Sequence, residues 1–194
     1  METKKSILNT NADTSADANI NTNEKVQKSS GLISERFVHP VPPLFDENSR
    51  ILILGTFPSP KSRDGRFFYH HRQNRFWKVI AALANSPIPE TIEQKKTMML
   101  KNNIAVWDVI LSCRITGAAD SSIRDVVPTD LSVILNHAPV ERIFANGGTA
   151  YSLYMKYSYP KTGRQITKLP STSPANASWN LDRLIDAWSV ILPF

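Results

Sequence analysis

Thr56, Ser59, Tyr69, His70, His71, Arg72, Asn74 and Arg75 fall within one short stretch and bring hydroxyl, imidazole, guanidinium and amide groups together. The stretch begins where the apolar run Ile51 to Leu54 gives way to Gly55-Thr56-Phe57-Pro58-Ser59. A strand therefore leaves through a glycine that admits close backbone approach, and Pro58 stiffens the turn. Thr56 and Ser59 offer hydroxyls to a base edge or a phosphate. The turn is not a phosphate-cradling P-loop, because it has neither the second glycine nor the Lys-Ser/Thr pair. Phe57 either stacks on a planar ligand or seals the strand end as a core residue.

Asn74 stands directly before the apolar helical stripe Phe76, Ile80, Leu83. Its amide is suited to orienting a water or hydrogen-bonding a purine edge, and equally to capping that helix. Arg72 and Arg75 read as phosphate contacts, which supply affinity with little sequence information. His70 and His71 either act as acid or base near neutral pH or pack on the loop. Asp108, at a strand end, is either a carboxylate base or the organiser of a turn. Far along the chain, Ser171-Thr172-Ser173-Pro174-Ala175-Asn176 supplies only small neutral groups and a proline, which suits a backbone running close to a nucleic-acid strand. Asn176 or Ser178 also fits the cap of the helix that follows. No His-Asp companion stands at a spacing that would make these serines hydrolase nucleophiles.

Charge narrows the ligand class. The net charge is +6, and the cations Lys61, Arg63, Arg66, Arg72, Arg75 and Lys78 face the single acid Asp64, while Lys156, Lys161, Arg164 and Lys168 have no acid among them. Two basic clusters beside the candidate loops favour a polyanion such as nucleic acid. The single cysteine, Cys113, excludes an intrachain disulfide and a multi-cysteine metal centre, and the four histidines have no common metal-ligand spacing, so no metal and no cofactor are expected. Residues 1–34 are rich in Asn, Thr, Ser, Ala and Lys without apolar periodicity and read as a disordered tail ahead of one domain over residues 35–194. The chain shows neither a secretory signal nor an apolar run long enough to span a membrane, and a cytoplasmic monomer is expected.

Four short apolar runs, Ile51 to Leu54, Ile104 to Trp107, Arg142 to Ala145 and Ile166 to Leu169, read as strands buried on both faces. Helical patterns lie between them. Pro89-Glu90-Thr91 reads as a helix entry, Thr129-Asp130 as a cap, Gly147-Gly148 as a turn into a helix, and Leu181, Leu184, Ile185 and Trp188 as a final amphipathic stripe. The alternation predicts a three-layer α/β/α sandwich around a central, mainly parallel four-stranded sheet. In such open sheets ligands bind beyond the carboxyl ends of the strands, which brings Gly55 to Ser59, Asp108, Asn146-Gly147 and Ser171 to Asn176 to one rim.

Gly55-Thr56-Phe57-Pro58-Ser59, Asn74-Arg75-Phe76-Trp77, Trp107-Asp108-Val109 with Ser112-Cys113, Asp120-Ser121-Ser122-Ile123 and Leu169 to Asn176, taken in order, resemble the uracil-DNA glycosylase superfamily. The likeness is greatest to its sixth family, the hypoxanthine-DNA (deoxyinosine) glycosylases. Mismatch-type uracil glycosylases carry an amide in the first motif where this chain has Phe57, whereas the sixth family moves it to the later Asn-Arg-Phe-Trp element, which falls on Asn74. The second motif has Ser171-Thr172-Ser173 in place of the histidine of the uracil enzymes, so weak uracil excision is expected. The resemblance implies a monofunctional glycosylase that flips deoxyinosine out of double- or single-stranded DNA and hydrolyses its glycosidic bond. It implies Asn74 as the catalytic amide and Gly55, Thr56, Phe57, Pro58, Ser59, Tyr69, Ser171 and Ser173 around the base. Lys61, Arg72, Arg75, Pro174, Ala175 and Asn176 would meet the DNA. The competing readings are a uracil or G:T mismatch glycosylase and a non-catalytic nucleic-acid-binding protein of the same fold.

Overall fold

Continuous burial accounts for the central strands. In the computed structural model, which describes residues 35–192, β2 (Ile51–Gly55) and β3 (Ile104–Asp108) are buried at every position, as strands covered on both faces must be. With β6 (Arg142–Asn146) and β7 (Thr167–Leu169) they form a four-stranded sheet in the order β3-β2-β6-β7, every pair parallel. The register pairs Gly55 with Asp108 and Asn146 with Leu169, so the carboxyl ends of all four strands reach one rim, as expected from the sequence. The expected tail, residues 1–34, lies outside the described residues.

The chain crosses from β2 to β3 on one side and then back past β2 to β6 on the other. Right-handed crossovers in opposite directions place their helices on opposite faces, which produces the three layers. One layer contains α2 (Phe76–Leu83) and α7 (Leu181–Trp188), which pack on each other with the Phe76 and Trp188 rings edge to face at 5.9 Å. The first crossover also carries α1 (Pro60–Asp64) and α3 (Ile92–Lys101), the latter opened by a capping box between Thr91 and Gln94. The other face takes α4 (Ser132–Leu135) and α5 (Gly148–Leu153), followed by a π-helical turn and α6 (Tyr159–Thr162). The final helix is capped by Asn180, whose side chain accepts from the Arg183 amide, and not by Asn176 or Ser178.

A second sheet was not anticipated from the sequence. Strands β1 (Glu35–Val38), β4 (Ile110–Ile115) and β5 (Arg124–Pro128) pair antiparallel in the order β1-β4-β5, with β4 following β3 after the single residue Val109. Its strands are half-exposed and β5 is irregular, with Asp125 at φ 51°, so no continuous apolar run marks them. Phe57, Ile110, Cys113, Ile115 and Ile123 form a separate small core beneath this sheet.

Candidate active site

A cleft of about 700 Å³ opens on the carboxyl rim of the parallel sheet. The turn Thr56 to Ser59 forms one wall, Ser171 and Ser173 to Asn176 the opposite wall, and Tyr69, Asn74, Asp108 and Asn146 the space between. The loop Ala118 to Ser121, which leads from β4 to β5, closes the remaining side.

Asn74 stands one position ahead of the N-cap of α2, Arg75, and its side chain supports the helix start from there. Its Oδ1 accepts from the Phe76 amide at 3.0 Å and from Thr172 Oγ1 at 2.9 Å. A backbone N–H can be met only by the oxygen of the side-chain amide, so the orientation is unambiguous and both lone pairs are occupied. The Nδ2 hydrogens remain for the cleft that the residue lines. Thr172, fully buried, is itself held by Asn146, whose Nδ2 donates to Thr172 Oγ1 at 2.9 Å and whose Oδ1 accepts from the Thr172 amide at 2.9 Å. A directional chain thus runs from Asn146 through the Thr172 hydroxyl to Asn74, tying the ends of β6, β7 and the entry to α2 together.

Arg75 departs from its expected role as a phosphate contact. Its guanidinium turns inward and donates to the carbonyls of Thr172, Ser173, Asn176 and Trp179, while its backbone amide donates to Thr172 O at 3.1 Å. The side chain gathers the opposite wall of the cleft, and the loop is tightened further from within. Ser171 Oγ accepts from the Ser173 amide, Ser173 Oγ from the Ala175 amide, and Asn176 Nδ2 donates to Ser171 O at 2.9 Å. Pro174 and Ala175 are left exposed at the tip. Lys61 and Arg72 are exposed and lie outside the cleft lining.

A family model described as the uracil DNA glycosylase superfamily matches residues 42–191, most of the chain. The chain belongs to the uracil DNA glycosylase superfamily. A protein named hypoxanthine DNA glycosylase from Methanosarcina acetivorans is 31% identical over 143 residues, covering 73% of this chain and 90% of that protein. One of the same name from Methanosarcina barkeri is 32% identical over 108 residues, covering 55% of this chain and 68% of its own. The solution NMR structure of a candidate uracil DNA glycosylase from Methanosarcina acetivorans superposes with a TM-score of 0.68 at 28% identity, covering 80% of this chain and 96% of that one.

In this member of the superfamily the first motif, from Thr56 to Ser59, lines the cleft. Phe57 lines the cleft and also belongs to the small second core, its ring edge to face with His39 at 5.9 Å, so wall and core are one role. Ser59 is the N-cap of α1, accepting from the Ser62 amide at 3.3 Å. Gly55 lies beneath the cleft and does not line it. A Cβ there would stand 2.2 Å from Asp108 Oδ1 and 3.0 Å from Tyr69 Oη, so glycine is required by the protein's own side chains. Asp108 is buried, with Oδ2 2.8 Å from His39 Nε2, while the Thr129 hydroxyl donates to the Asp108 carbonyl at 2.8 Å and pins the strand end.

Several residues of this superfamily site were missed or underweighted in the sequence. His39 arrives from the connection after β1, Asn146 ends β6, and Thr172 sits between two serines that attract attention first. Asp120 enters from the loop after β4; although much of the residue faces solvent, desolvation of its carboxyl raises its pKa. The Thr56 hydroxyl opposes that rise and the nearby Asp108 charge adds to it. Asp108, Asn146 and Thr172 fall in segments that the sequence brings to the rim and Asp120 in a quoted motif, whereas His39 carries no such signal. Donor and acceptor groups edge the cleft, with an apolar ring on one wall, an arrangement that suits a planar heterocycle.

Proposed function

We propose that this chain is a monofunctional DNA glycosylase that flips deoxyinosine into the cleft and hydrolyses the C1′–N9 bond, releasing hypoxanthine and leaving an abasic site. The observation that carries this reading is the Asn74 amide, whose oxygen is saturated by Phe76 and Thr172 and whose NH₂ is left for the cleft. As the glycosidic electrons move onto the purine, a fixed donor aimed at it stabilises the departing base, and a neutral amide does so without repelling the phosphate backbone. The negative DNA backbone in turn favours the oxocarbenium-like sugar, and water completes the hydrolysis at C1′. The names of the two Methanosarcina relatives support hypoxanthine as the base.

No lysine lines the cleft among the described residues, which favours direct hydrolysis over a Schiff-base intermediate and strand cleavage. In this reading the Pro174-Ala175 tip presses into the duplex and Lys61 and Arg72 meet phosphates, which their exposure supports. Extruding a base costs on the order of a few kcal/mol and least where pairing is already poor, which favours deaminated positions. The test is incubation with duplexes bearing one inosine, uracil, xanthine or G:T mismatch, followed by alkaline cleavage at abasic sites. Cleavage at inosine ahead of uracil is expected. Cleavage at uracil or G:T alone assigns the mismatch activity instead, and cleavage at none of them ends the enzymatic reading.

A further inference from the structure

The floor of the cleft holds a carboxylate and a phenol whose hydrogen-bonding capacity is not used up within the protein. Asp108 Oδ2 is engaged by His39 Nε2, and His39 Nδ1 accepts from the Val41 amide at 3.1 Å. With Nδ1 accepting, the ring must carry its hydrogen on Nε2 and donate it to Asp108. One carboxylate oxygen is therefore committed, and Oδ1 lies over Gly55, where Tyr69 Oη also converges. Tyr69 is fixed by its left-handed backbone, φ 50°, and by stacking on Phe76 at 3.9 Å, yet its buried hydroxyl has no hydrogen-bond partner. It lies beside Asn146 without reaching bonding geometry, and burial, with the Asp108 charge adding to it, pushes its pKa up, so it keeps its proton. An orphaned buried donor next to an acceptor with spare capacity requires an explanation, since leaving either unpaired costs the desolvation of that group.

We propose that Asp108, oriented by His39, accepts the N1–H of flipped hypoxanthine while Tyr69 donates to O6, and that this pair rejects adenine. The lactam edge of hypoxanthine is a donor at N1 beside an acceptor at O6. Adenine reverses both, so its N1 lone pair meets a carboxylate and its amino group meets a phenol proton. Guanine shares the lactam edge and adds a 2-amino donor, which a carboxylate with two free oxygens would grip. His39 denies that grip by occupying Oδ2. Asp108 and Tyr69 are thus specificity-determining groups, and His39 is a positioning residue.

This inference rests on the release of hypoxanthine by the chain, and the experiment separates the two. Full-length wild-type protein and the Asp108→Asn variant are compared in single-turnover reactions on duplexes carrying inosine, an A:C mismatch or a G:T mismatch. His39 Nε2–H still needs an acceptor, so the introduced amide turns its oxygen to His39 and its NH₂ to the cleft. That donor opposes hypoxanthine N1–H and matches adenine N1. Hypoxanthine release is expected to fall on the order of 10²-fold or more, with the adenine-to-hypoxanthine ratio rising. An unchanged ratio, even with both rates reduced, overturns the proposal. His39→Ala is expected to raise guanine release relative to hypoxanthine; an unchanged ratio removes the positioning role. Wild-type protein supplies a measurement that no misfolded variant can spoil. Duplex containing deoxynebularine, which lacks both O6 and N1–H, is expected to react on the order of 10²-fold more slowly than inosine after correction for uncatalysed depurination. Equal rates overturn the proposal. A wild type that releases no hypoxanthine at all fails the functional reading instead.

Discussion

The Asn74 oxygen holds a helix start and a loop, and its nitrogen is what remains for substrate. Asn74→Asp separates these duties, because a carboxylate keeps both acceptor bonds and loses only the donor. We expect this variant to retain its melting temperature within a few degrees while single-turnover hypoxanthine release falls by roughly 10² to 10³, the scale of one fixed polar group at a reacting centre. Full activity would remove Asn74 from the chemistry and leave it as a support of the helix start. Tyr69 makes a different prediction. Burial, reinforced by the Asp108 charge, raises its pKa, so the folded state holds a proton that the unfolded chain releases. The corresponding stability is fully present below the ordinary tyrosine value of about 10 and is lost as pH rises from there toward the folded-state value. Denaturation from pH 8 to 11 should show this loss in the wild type and a smaller one in Tyr69→Phe; identical profiles would mean that the phenol is not buried.

The two walls of the cleft belong to elements far apart in sequence, and one hydroxyl couples them. Thr172 Oγ1 accepts from Asn146 and donates to Asn74, so it serves β6, the loop after β7 and the entry to α2 at once. Thr172→Val preserves shape, strands the buried Asn146 Nδ2 donor and leaves the Asn74 oxygen with only its Phe76 bond, a cost of about 1–3 kcal/mol. Chemical unfolding should show that loss together with slower base release, and Thr172→Ser, which restores the hydroxyl, should recover most of both. A valine variant of wild-type rate would mean that Asn74 needs no orienting bond. Trp188 adds a second tie at this scale, donating from Nε1 to Pro170 O at 3.0 Å and so fastening α7 to the root of the same loop.

Across the whole molecule the basic residues divide into those that hold the protein and those that face outward. Arg75 is consumed by four carbonyls and Arg63 lies over the Phe37 ring at 4.1 Å, whereas Lys61 and Arg72 are exposed. DNA affinity should fall steeply with salt, and each of Lys61→Ala and Arg72→Ala should flatten the slope of log affinity against log salt by about one phosphate contact or less. Arg75→Gln, which removes the charge, should leave that slope intact while lowering stability and activity, since one amide cannot meet the several carbonyls held by the planar fork of a guanidinium. A flattened slope in Arg75→Gln would return that residue to the DNA interface.

The sequence by itself determined the parallel sheet, the helix that Asn74 opens and the rim where ligand loops meet. Strands buried on both faces must read as unbroken apolar runs, and caps and glycine turns act through neighbours in the chain, so Ile51 to Leu54, Ile104 to Trp107 and Thr91 carry their structure locally. The antiparallel sheet escaped because its half-exposed strands carry mixed patterns that only pairing resolves. Tertiary structure alone decided how the polar groups around the cleft are partnered. Arg75 binds backbone carbonyls, which every residue possesses and no sequence can advertise. His39 and Asp108 meet across 69 positions, and Asn74 and Thr172 across 98. Side chains of this kind become a site only when the packing of the sheet removes water from around them, so that each must find its partner in another element.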